Sequence, residues 1–66
     1  MKIILNGNPA ELPDGATTAE AVRLLTDAVR GIAVAVNGAV VRRAAWDSTP
    51  LADGDQVEVL TAVQGG

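Results

Sequence analysis

Only one stretch of the chain carries helical periodicity; the rest reads as strand and turn. Thr17-Thr18-Ala19-Glu20 has the spacing of a capping box, in which the Thr17 hydroxyl accepts from the Glu20 amide and the Glu20 carboxylate reaches back. Ala21, Val22, Leu25, Ala28 and Val29 then recur at spacings of three and four and form one apolar stripe. Arg23, Thr26, Asp27 and Arg30 lie largely off it. Arg30 suits the carbonyl end of the helix dipole, and Gly31 suits the left-handed position past that end. The spacing therefore predicts a helix from Thr17 to Arg30. A single helix cannot cover both faces of a sheet, so one sheet face must stay open.

The strand signals flank that helix. Lys2 to Asn6 holds the consecutive apolar residues Ile3, Ile4 and Leu5. Asn6-Gly7-Asn8-Pro9 is a dense turn signal, after which Ala10 to Leu12 can return as a short edge strand. Pro13-Asp14-Gly15 makes another turn. Ile32 to Val36 alternates, with Ala33 and Ala35 on one face and Val34 and Val36 on the other. Asn37-Gly38 is the strongest short hairpin signal in the chain, and Ala39 to Arg42 is its return strand. Ala44 to Asp47 is long enough for a single helical turn, Ser48-Thr49-Pro50 is loop, and Asp53-Gly54-Asp55 is a tight turn. Gln56 to Thr61 alternates again, with Val57 and Val59 on one face and Glu58 and Leu60 on the other.

The first and last strands carry the most apolar content. Placed side by side they run parallel, with the helix in the crossover path. That arrangement is an α+β fold of the β-grasp, or ubiquitin-like, type: a mixed four- to five-stranded sheet packed on one helix. Patterning alone leaves a few other α+β topologies open. Residues 1–62 make the domain in this reading, and 63–66 a flexible Gly-Gly tail.

Composition excludes most chemistry. The 66 residues contain no Cys, His, Tyr or Phe. The usual general base, thiol nucleophile and soft metal ligands are absent, and no metal or cofactor is expected to be bound. No disulfide compensates for a core that buries only about 60% of the unfolded surface. A binding or carrier module fits this inventory; an independent enzyme does not. A net charge of −3 argues against nucleic acid and against an anionic membrane surface. The apolar run near Met1 is too short for a signal core, and no stretch approaches a membrane span, so the cytoplasm is expected. Trp46 reads as a core anchor beside Leu51, and Leu25 and the central valines as costly to truncate. Asp53 and Asp55 read as turn residues, and Arg42-Arg43 as a solvated edge.

What remains is Gly65-Gly66. Two residues without side chains can thread a narrow channel and bring a carboxylate close to a partner. A carboxylate is a poor electrophile and must be activated, most simply as an acyl-adenylate, before a sulfur or nitrogen nucleophile attacks. The open sheet face offers a second feature. Ile4, Leu60 and Val63 near the tail could dock a partner, or could be ordinary apolar surface.

Several segments together resemble the thiamine-biosynthesis sulfur carriers, a ubiquitin-like β-grasp family. They are Met1-Lys2-Ile3 to Asn6-Gly7, the helix opening at Thr17, Val34-Ala35-Val36-Asn37-Gly38, Arg42-Arg43 with Trp46, Leu51 with Asp53-Gly54-Asp55 and Val57-Glu58, and Thr61 to Gly66. Arg42-Arg43 departs from the pattern, since many relatives have a proline beside the arginine. The resemblance implies that Gly66 is adenylated by a ubiquitin-activating-like adenylyltransferase using MgATP. It implies conversion to a thiocarboxylate with sulfur from a persulfide protein, and delivery to thiazole synthase. Gly65 and Gln64 would be the threading neighbours. Alternatives are the small subunit of molybdopterin synthase, another sulfur carrier, a ubiquitin-like modifier joined to lysines, and a regulatory module with an incidental tail. The lack of proline in Thr61-Ala62-Val63 favours the thiamine branch over the molybdopterin one.

Overall fold

The computed structural model describes residues 1–28 and 30–61. Strands β1 (Lys2–Leu5) and β2 (Asn8–Glu11) form one hairpin, and β3 (Ile32–Val36) and β4 (Ala39–Val41) another. Helix α1 (Thr18–Arg23) lies between the hairpins, and a 3-10 helix (Arg43–Ser48) precedes β5 (Gln56–Thr61). The five strands run in the order β2-β1-β5-β3-β4. β5 is parallel to β1, with Leu5 opposite Val57, and antiparallel to β3, with Val34 opposite Val59. The parallel pairing of first and last strands across a helical crossover is the β-grasp roll, the one expected among the few topologies that patterning leaves open.

Both hairpins turn on Asn-Gly. The φ values are 50 and 82° at Asn6 and Gly7, and 52 and 85° at Asn37 and Gly38. Two consecutive positive φ angles are what a two-residue type I′ connection requires, and Asn and Gly tolerate them best. The second turn also fastens the start of β5. The Asn37 amide donates to the Gln56 carbonyl at 2.7 Å, and the Gln56 amide donates to Asn37 Oδ1 at 3.0 Å. Asn37 Nδ2 donates to Asp55 Oδ1 at 3.0 Å, and Asp55 Oδ2 accepts from the Ala52 amide at 2.8 Å. Asp53 Oδ1 accepts from the Lys2 amide at 2.7 Å. Both aspartates thus serve the turn, as expected.

The core collects the inward side of this alternation. Ile3 and Leu5 of β1, Val34 of β3 and Val57 and Val59 of β5 meet Ala19, Ala21 and Val22 of α1, with Leu12, Ala16, Trp46 and Leu51 from the connections. Trp46 is the buried anchor expected, and its indole N–H donates to the Val41 carbonyl at 3.0 Å. Thr18 is the one buried polar residue among those described, and its hydroxyl donates to the Thr49 carbonyl at 3.0 Å.

The helix is shorter than its sequence pattern. It begins as predicted, with Glu20 Oε1 accepting from the Thr17 amide at 3.1 Å, but it stops at Arg23 rather than Arg30. The Leu24 and Leu25 amides tighten to the carbonyls of Ala21 and Val22, and the Ala28 amide donates to Thr26 Oγ1 at 3.0 Å. A threonine hydroxyl has taken the amide that the next helical turn would use. Leu25, expected in the core, is therefore 48% exposed, and Leu24 beside it is 51% exposed. Gly31 has a positive φ of 70°, but it does not cap this helix. Val29, the last residue of the predicted stripe, lies outside the described residues. Smaller shifts occur elsewhere: β2 starts at Asn8, with Pro9 on the edge strand opposite Ile4, and the single turn predicted at 44–47 is a 3-10 helix over Arg43–Ser48.

Candidate functional site

Strand β5 is the middle strand of the sheet, and it carries the chain toward Gly66. Val57 and Val59 anchor it in the core, while Glu58 and Leu60 point to the open face. Residues 63–66, including the expected site residues Val63, Gln64, Gly65 and Gly66, lie outside the described residues. The structure therefore defines the root from which the tail departs.

That root is held from two sides. On the β3 side the ladder continues to Ile32 opposite Thr61. On the β1 side the backbone ladder stops sooner, because β1 turns away at Asn6. There a side chain takes over: the Val59 amide donates to Asn6 Oδ1 at 2.7 Å, and Asn6 Nδ2 donates to the Val59 carbonyl at 3.1 Å. The Asn6 carboxamide thus presents to β5 the donor and acceptor of one more strand residue.

The open face around the root is apolar. Leu60 and Val40 are 68% and 78% exposed, and with Ala33, Ala35 and Glu58 they line a shallow depression of about 110 Å³. Ile4 lies on the same face but is half-buried and sits opposite Gln56. It is four residues from Leu60 along β5, or roughly 13 Å at the strand rise. Leu60 is thus grouped with Val40 rather than with Ile4. Val40 was legible only through the hairpin register, which puts it opposite Ala35.

A second concavity of about 230 Å³ lies between α1 and the 3-10 helix. Arg23 faces Asp47 at 3.9 Å across it, and the Arg43 guanidinium lies 5.3 Å over the Trp46 ring. Cations and anions offset one another there: Arg23 and Arg43 face Asp27 and Asp47, with Thr26 the other polar residue in the lining. Among the described residues, no group of three or more Asp or Glu could hold a metal ion, and no helix is long and apolar enough to cross a membrane.

A sheet rolled onto one helix, with its first and last strands parallel and Gly-Gly in the sequence beyond the last, defines a ubiquitin-like β-grasp protein. The ThiS family model matches residues 3–66, and the chain belongs to the ThiS family. It is 30% identical to the sulfur carrier protein ThiS of Escherichia coli (strain K12) over 66 residues, which cover 100% of both proteins. It also resembles the crystal structure of the thiamine biosynthesis protein ThiS from Geobacter metallireducens, with a TM-score of 0.80, 32% identity and 100% of both chains covered. For the solution structure of a thiamine biosynthesis protein from the same organism, the TM-score is 0.79 and the identity 33%, over 100% of this chain and 88% of that one.

Proposed function

We propose that this chain is a sulfur carrier in thiamine biosynthesis, acting through the carboxylate of Gly66. The observation that supports this reading best is the end-to-end match to a sulfur carrier. The fold adds a physical rationale, since the central strand β5 is anchored by Val57 and Val59 and runs toward Gln64-Gly65-Gly66.

The chemistry belongs to partner enzymes. An adenylyltransferase of the ubiquitin-activating type condenses the Gly66 carboxylate with MgATP, releasing pyrophosphate and giving an acyl-adenylate. The terminal sulfur of a protein persulfide attacks the acyl carbon and AMP leaves. A thiol then cleaves the sulfur–sulfur bond, and the thiocarboxylate remains on Gly66. Thiazole synthase takes that sulfur. This chain supplies no catalytic side chain and binds no cofactor; it contributes a recognisable body and a tail that enters the partner's site. The exchange belongs in the cytoplasm in this reading, a compartment that supplies the MgATP it consumes. Leu60 and Val40 form the docking patch in this reading, with Val63 soon after Leu60 in sequence and Ile4 further along the same face. A modest apolar patch suits partners that must exchange.

Genetics tests the proposal. In a host lacking its own sulfur carrier, the full chain restores growth without thiamine, and the chain lacking Gly65-Gly66 does not. Equal rescue by both would refute it.

A further inference from the structure

We infer that Asn6 is a positioning residue for the reaction at Gly66: its carboxamide holds the root of the tail by standing in for a missing strand residue. The inference rests on the sulfur-carrier reading above and concerns how the body aims its tail.

The argument starts from the ladder. Along a strand, successive backbone groups point alternately to the two neighbouring strands. Asp55 and Val57 direct their carbonyls to β1, where they accept from the amides of Ile4 and Asn6 at 2.9 Å each. Gln56 directs its carbonyl to the other side, to Asn37. By this alternation the N–H and C=O of Val59 face β1, as those of Val57 do. β1 has already turned away there, and the two bonds to the Asn6 side chain are the partners Val59 has on that side. Those bonds span 53 residues of sequence. The Val59 side chain is buried in the core, so an unpaired backbone at this point would be costly.

Asn6 can do this because of its turn. At φ 50° the backbone reverses while the short carboxamide reaches on in the strand direction. Asn37 is the matched case: it has the same φ, is followed by the same glycine, and its carboxamide fastens β5 at Gln56. One Asn-Gly turn therefore ties the entry of β5, and the other ties its exit. Only the exit leads to Gly66. Without the Asn6 carboxamide, Leu60 keeps its register with Ala33 of β3, so the open face still docks. The β1 side of Val59 to Thr61 is then free to fray. The tether to Gly66 begins earlier, and a smaller fraction of docked complexes presents the carboxylate to the adenylating site.

The test compares Asn6→Gly with Asn37→Gly. Both keep a residue that accepts positive φ, and both remove one carboxamide from β5. Adenylation is followed by pyrophosphate release from MgATP with the adenylyltransferase of the source organism, and docking by titration without ATP. Asn6→Gly should lower the rate at saturating carrier at least threefold, leave the dissociation constant within twofold, and speed amide exchange at Val59 at least tenfold. Asn37→Gly should leave both the rate and the constant within twofold. If Asn6→Gly does not fold, Asn6→Asp is read in the same way, since it keeps the acceptor and loses the donor. An Asn6 variant that exchanges faster at Val59 yet is adenylated at the wild-type rate overturns the inference, as does an equal loss in Asn37→Gly. A wild-type chain that is never adenylated by an enzyme active on its known carrier overturns instead the sulfur-carrier reading.

Discussion

Leu25 and Leu51 offer the sharpest test of where the core ends, because one substitution applied to both should have two different costs. Leu51 is 6% exposed and packs with the residues around Trp46, whereas Leu25 is 48% exposed beyond the end of α1. Truncating a buried leucine to alanine costs about 2–5 kcal/mol, from lost transfer energy and the cavity left behind. Full burial of a leucine is worth roughly 1.5–3 kcal/mol, and only about half of Leu25 is removed from water, so Leu25→Ala should cost no more than about 1.5 kcal/mol. The difference is large for this protein. At roughly 0.05–0.15 kcal/mol per residue, a chain of this size has about 3–10 kcal/mol in total. Urea denaturation followed by Trp46 fluorescence reads both variants, since Trp46 is the only aromatic residue. With a slope near 1 kcal/mol per molar, Leu51→Ala should lower the midpoint by at least about 2 M or leave the chain unfolded, and Leu25→Ala by no more than about 1.5 M. Equal losses would show that Leu25 belongs to the core, and that the helix continues toward Arg30 as its periodicity predicts.

Other substitutions probe the polar anchors and the open face. Trp46→Phe removes the N–H that serves the Val41 carbonyl and leaves space in the core, and should cost about 1–3 kcal/mol by urea denaturation followed by circular dichroism. Thr18→Val keeps the shape and leaves the Thr49 carbonyl its bond from the Thr18 amide at 2.9 Å, so its cost should stay near 1 kcal/mol in the same assay. Leu60→Ser should change stability by less than about 0.5 kcal/mol, yet weaken adenylyltransferase binding by more than about 1 kcal/mol in a titration.

Much of the fold was legible because local signals agreed with one another. Asn37-Gly38 and Asn6-Gly7 marked two hairpins, the alternation from Gln56 to Thr61 separated core from surface, and a single helical stretch left one face open. The helix end was not legible. Leu25, Ala28 and Val29 continue a convincing stripe, and only the bond from the Ala28 amide to Thr26 Oγ1 shows how a local hydroxyl displaces the next turn. The reading of Gly66 rested on chemistry and resemblance, and residues 63–66 lie outside the described structure. The place of Val40 in the patch was not legible, because a residue's membership of a surface patch depends on strand register, not on its own neighbours in sequence. The role of Asn6 was hidden for a related reason. The residue announces a turn, and nothing in the sequence says that its side chain reaches a strand 53 positions away.

The central claim is that Gly66 carries sulfur, and intact mass spectrometry measures that directly. The purified chain is incubated with its adenylyltransferase, MgATP, a persulfide donor and a thiol, and fragmentation then locates any change. The account predicts that one oxygen is exchanged for one sulfur, that the change maps to Gly66, and that it requires ATP. An unchanged mass in the presence of a demonstrably active adenylyltransferase, or sulfur found at any other residue, would contradict it.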